Sequence, residues 1–71
     1  MKLELLDVVV LTQNLAEYHL PQGAIGTIVE ILKKDVFLVE FADKHGIAYA
    51  MAELPSTLLM KVVREPMAEA A

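Results

Sequence analysis

The chain has 71 residues, of which 56% are apolar, and its ten acidic against six basic side chains give a net charge of -4. A chain this short buries only about 60% of the surface its unfolded form exposes, which leaves no room for a second domain within it. The negative balance disfavours strong attraction to phosphate backbones, and the absence of cysteine excludes a disulfide scaffold and thiolate metal sites.

Lys2 precedes an apolar start, but Glu4 and Asp7 interrupt it before a signal-peptide core or a membrane span forms, so the expectation is a soluble cytoplasmic protein. Residues 5–12 contain the β-branched run Val8, Val9, Val10 followed by Leu11, which predicts a first strand. The run has no alternation, so both of its faces need cover, with Leu3 and Leu5 as candidates. Residues 13–22 read as a long loop with at most one helical turn at 15–18, closed by Pro21 and Gly23. In a small barrel such a loop folds over one open end, with Leu15 and Leu20 as plugs and Tyr18 and His19 as exposed chemistry.

The stretch 23–41, GAIGTIVEILKKDVFLVEF, predicts a β-hairpin around which the rest folds. Gly23 and Gly26 suit a sharp corner or a bulge at its start. Strand two, at 24–32, has Thr27, Val29 and Ile31 on one face and Ile28, Glu30 and Leu32 on the other. Strand three, at 36–41, has Phe37, Val39 and Phe41 opposite Leu38 and Glu40. The glutamates mark the wet faces, so Ile28, Leu32 and Leu38 are expected to point outward.

Residues 42–46 form a hairpin turn with Gly46 last. Strand four, at 47–53, carries Ile47, Tyr49 and Met51 on one face and three alanines on the other; the tyrosine face is favoured as the interior. Pro55 opens a 3₁₀-like turn, and residues 58–63 make a fifth strand. The expected division is a barrel at 1–63 and a flexible tail at 64–71. The expected core is Val8, Val10, Ile25, Val29, Ile31, Phe37, Val39, Phe41, Tyr49 and Leu59.

Five short strands, a long first loop and one 3₁₀ turn before the last strand describe an all-β, SH3-like barrel. The segments LLDVVVLTQNL, GAIGTIVEIL and FLVEFADKHGIAYAMAEL resemble a family of short bacterial proteins classed as domain of unknown function 4926. The resemblance rests on Asp7, Gly23, Gly26, Thr27, Glu40, Phe41, Asp43, Gly46 and Tyr49 and runs to Val63. It implies the barrel fold and a bacterial cytoplasmic setting, and it carries no activity; a gene pair of antitoxin or immunity type is one arrangement it suggests. Gly23, Gly26 and Thr27 are also similar to the KOW motif of ribosomal and transcription-elongation proteins, which implies an alternative nucleic-acid role. A glycine at a strand corner has a backbone explanation in many such barrels.

The chemistry of the loops is thin. His19 and His45 lie in different loops, and with Glu17 and Asp43 they fall short of the convergent three or four ligands a metal needs. Ser56 sits where capping is the ordinary role, with no base placed beside it. A filled small barrel offers no ligand cleft. The expectation is therefore a non-enzymatic module without metal, cofactor or small-molecule substrate, which binds another protein or a copy of itself. Nucleic acid is disfavoured because Lys33 and Lys34 lie one hairpin turn away from Lys44, about 20 Å along the sheet. The apolar surplus, Leu3, Ile28, Leu32, Leu38 and Met60, is what an interface would use. Expected contact residues are Tyr18, His19 and Leu20 in the loop and Ile28, Glu30, Leu38 and Glu40 on outward strand faces.

Overall fold

The structure, a computed structural model, describes residues 2–63. Five strands, β1 (Val8–Leu11), β2 (Ile25–Lys33), β3 (Val36–Ala42), β4 (Ala48–Pro55) and β5 (Leu59–Lys61), are joined with single 3₁₀ turns at Ala16–Tyr18 and Ser56–Leu58. They form one antiparallel sheet in the order β4-β3-β2-β1-β5, the all-β, five-stranded arrangement expected from the sequence. The expected tail at 64–71 lies outside the described residues.

The core is the inner face of this sheet closed by the first loop. Val9, Leu11, Ile28, Phe37, Val39, Phe41, Ala52, Leu54 and Leu59 are buried together, and Leu15 and Leu20 plug the assembly from the loop. The plugs are held by a reciprocal backbone pair, Leu15 N–H to the Leu20 carbonyl at 2.8 Å and Leu20 N–H to the Leu15 carbonyl at 3.1 Å. Asn14 Oδ1 accepts the Gln22 N–H at 2.7 Å and so closes the loop's neck.

Several faces differ from expectation. On β1, Val9 and Leu11 are buried while Val8 is exposed and Val10 half-buried, because Val9 faces Gly26 across the ladder and a run of four apolar residues carries no phase of its own. On β2, Ile28 is fully buried and Ile25 lies outside, 59% exposed. The pairing with β3 shifts between Ile28 and Glu30, so an irregularity at Val29 separates an inward Gly26 and Ile28 from an inward-side Ile31 beyond it. The expected alternation is thus right after that bulge and reversed before it. Val29 is half-buried, and Ile31, although it pairs with Phe37, stays 50% exposed near the hairpin end.

On β4 the alanine face turns inward. Ala50 opposes Phe41 and Ala52 opposes Val39, so small residues on one strand make room for large ones on the next, while Tyr49 and Met51 face out. Phe37, Val39, Phe41 and Leu59 are buried as expected.

Two glycines do different work. Gly23 has φ +91 with open space around it, so its requirement is the backbone conformation. Gly26 has no such φ; a Cβ there would meet Val39 Cγ1 at 2.6 Å and Phe41 Cδ1 at 3.0 Å. Its absent side chain lets β3's large residues fold over β2. Gly26→Ala is expected to destabilise by about 1–3 kcal/mol through overpacking, and Gly23→Ala by about 1–2 kcal/mol through the left-handed backbone, both read from urea unfolding. Ile28→Glu is expected to abolish the cooperative transition, because it buries an unpaired carboxylate.

Candidate functional site

The outer face of the sheet divides into two halves. Across β5, β1 and β2, Met60 pairs with Val10 and Val10 with Ile25, so three apolar side chains line up in one row. Across β2, β3 and β4, the corresponding positions are Thr27, Glu40 and Met51, then Glu30, Leu38 and Glu53. One half is apolar and the other acidic.

The apolar half contains an open groove of about 500 Å³ lined by Leu6, Asp7, Val8, Ile25 and Val62. Leu6 is 69% exposed and Ile25 59%. Beside the groove, residues 4–7 make a tight turn in which the Asp7 N–H donates to the Glu4 carbonyl at 3.1 Å and Asp7 Oδ2 accepts the Glu4 N–H at 2.7 Å. Asp7 Oδ2 also meets Lys61 Nζ at 3.3 Å, which ties the turn to β5. The Leu6 N–H donates to the Ile28 carbonyl at 2.7 Å, and the Ile28 N–H to the Asp7 carbonyl at 3.0 Å.

These bonds hold Leu6 at φ 69, a left-handed conformation that costs a leucine about 1–2 kcal/mol. Strain of this kind persists where the surroundings over-determine it, and here it presents a large apolar side chain to solvent at a groove's rim. Leu5, 53% exposed, is its neighbour on the same turn.

A second groove, of about 320 Å³, lies where Leu3 and Phe37 meet Lys34, Asp35 and Ser56. Both grooves are open surface features, where the sequence predicted no cleft. Neither gathers a set of catalytic side chains. His19 and His45 are both exposed and stay in separate loops; His45's backbone N–H, with that of Ile47, is accepted by Asp43 Oδ1 at 2.8 and 3.0 Å, making Asp43 the organiser of its turn. Among the described residues no three His, Asp or Glu side chains are grouped to hold a metal ion, and no helix is long and apolar enough to cross a membrane.

The expected contact residues separate into three groups. Glu30, Leu38 and Glu40 are brought together on the outer face, Glu30 directly opposite Leu38. Tyr18 and His19 belong to the loop that closes the inner side, Tyr18 half-buried against the core and His19 exposed in a left-handed conformation at φ 57. Leu20 and Ile28 are withdrawn as surface contacts: they are 2% and 0% exposed, because the loop plugs the core and the bulge at Val29 turns Ile28 inward. Sequence reasoning missed Leu6, Val8, Ile25 and Val62. Its available signal was an apolar pair, Leu5 and Leu6, set between Glu4 and Asp7, a spacing that suits a carboxylate-closed turn.

The family model described as Domain of unknown function (DUF4926) matches residues 5–61. The chain belongs to that family. The match spans the Leu5–Leu6 turn and every groove-lining residue except Val62. No curated protein and no solved structure matches the chain.

If the Leu6 backbone is strained for presentation rather than for folding, Leu6→Gly is expected to leave stability unchanged or raise it by up to about 1 kcal/mol. Denaturant unfolding measures this; a clear loss of stability would show that the leucine side chain itself supports the fold.

Proposed function

We propose that this chain is a non-enzymatic protein-interaction module of the bacterial cytoplasm, which holds a separately encoded protein on the outer face of β1, β2 and β5. The observation that carries the reading is the groove lined by Leu6, Val8, Ile25 and Val62, rimmed by a leucine in a strained conformation. An exposed, contiguous apolar surface of this kind is what an interface core supplies. Glu30, Glu40 and Glu53 flank it on the same outer face, so the partner segment offers an apolar anchor with lysine or arginine beside it. An antitoxin or immunity pairing is one form such a complex takes.

The nucleic-acid alternative has less support. Lys33 ends β2 and Lys44 lies in the turn after β3, so the seven residues of β3 separate them, about 20 Å or more. The outer face between them carries glutamates. Fluorescence anisotropy with random oligonucleotides is expected to show no binding at physiological salt; a salt-dependent dissociation constant near a micromolar would favour the KOW-like reading.

Affinity purification of tagged parent and variant proteins from the native cell, with mass spectrometry, tests the main proposal. Ile25→Lys and Met60→Lys change side chains that are each 59% exposed, so both variants are expected to fold. They should lose the specific partner that the parent retrieves, with Leu32→Lys as a control that keeps it. Retrieval of the same set by all four proteins would rule out this surface.

A further inference from the structure

We propose that the protein forms a twofold dimer by antiparallel pairing of β4 with β4 of a second copy, through an edge distinct from the groove face. β4 is the long outer strand of the sheet: Ala48–Pro55 pairs with β3 on one side, and among the described residues no backbone group from Ala48 to Leu54 hydrogen-bonds outside that ladder. An outer strand of eight residues presents a row of unpaired N–H and C=O groups, and natural proteins guard such edges with lysine, proline or shortness. The opposite edge, β5, is guarded in that way, with three residues ending in Lys61. β4 is not. It has one charge, Glu53, and its proline is the last residue.

The side chains select a copy of the same strand and one register. In an antiparallel ladder opposed residues share a face, so the twofold axis passes midway between a residue and its own copy. With Met51 opposite Met51 of the second copy, Ala50 meets Ala52 and Tyr49 meets Glu53, and residues 48–54 of each chain align. The inner-side alanines permit close approach, and the outer-side Met51, 51% exposed in one chain, becomes the centre of the new ladder. Moving the axis to Ala50 shortens the aligned stretch of β4 to residues 48–52; moving it to Ala52 makes the two glutamates diagonal neighbours about 7–8 Å apart, and moving it to Glu53 opposes them directly, all less favourable. The Met51 register instead keeps the two glutamates apart, each opposite Tyr49 of the other copy.

Light scattering after size exclusion, over a range of concentrations, should give the mass of two chains at high concentration. Met51→Lys should raise the dimer dissociation constant about tenfold or more, by losing the central apolar contact and opposing two ammonium groups. The chain lacks cysteine, so single thiols report register. Treated with diamide as oxidant, Met51→Cys should give a disulfide-linked dimer on a non-reducing gel, since directly opposed residues have Cβ atoms about 4.5–5.5 Å apart. Met60→Cys, on β5, should not. Circular dichroism confirms that each variant is folded. A parent that stays monomeric at high concentration overturns the proposal. So does a dimer broken by Met60→Lys and spared by Met51→Lys, or cross-linking that is as fast through position 60 as through 51. A parent that stays monomeric leaves partner capture by the outer face of β1, β2 and β5 untouched, since that reading is tested through Ile25 in the groove and Met60 beside it.

Discussion

The fold depends on the close approach of β2 and β3 at Gly26. Val39 and Phe41 of β3 occupy the space a side chain at 26 would fill, with the nearest contact at 2.6 Å from the position of its missing Cβ. Val9 of β1 faces the same glycine from the other side, so three strands converge there without bulk from the middle one. Large residues on β1 and β3 meet across a flat centre. The same alternation of sizes recurs at Phe41 against Ala50 and Val39 against Ala52.

That arrangement leaves many apolar residues on the outside. With Val9, Ile28 and the β3 trio committed to the interior, the alternating partners Val8, Ile25 and Met60 face solvent, joined by Leu6 and Val62. A sheet this small has one covered face, and the chain supplies apolar residues for both. The outer ones are collected over β5, β1 and β2, while Glu30, Glu40 and Glu53 occupy the other half of that face. Segregation of this kind gives a partner an apolar anchor point and a charged border at once.

The Leu6 turn shows how locally that surface is built. Asp7 accepts from Glu4's backbone and from Lys61, while the backbone of residues 6 and 7 bonds to both polar groups of Ile28. A buried isoleucine on β2 therefore fixes the backbone of an exposed leucine before β1. Core and outer surface are coupled through two hydrogen bonds, which tie the groove's rim to β2. The β4 edge differs in kind, because what it offers is backbone polarity along a flat, nearly uncharged strand.

The element order was legible in the sequence. Turn chemistry at Lys34 and Asp35, at Asp43 and Gly46 and at Pro55 marks the strand ends, and the β-branched runs between them can do little else. Leu15 and Leu20 as plugs were legible too, because a long loop on a small barrel has one open end to cover. On β3, Glu40 breaks the apolar pattern and gives it a phase, so Phe37, Val39 and Phe41 were read as core. Which way β1, the first half of β2, and β4 face was decided only in three dimensions. A run such as Val8 to Leu11 has no period to read, and the bulge at Val29 reverses the phase within one strand. Two apolar faces on β4 are separated only by what β3 needs opposite its aromatics. Local sequence specifies where a strand is; burial of one face against particular neighbours specifies which side is in, and with it which apolar residues are left at the surface.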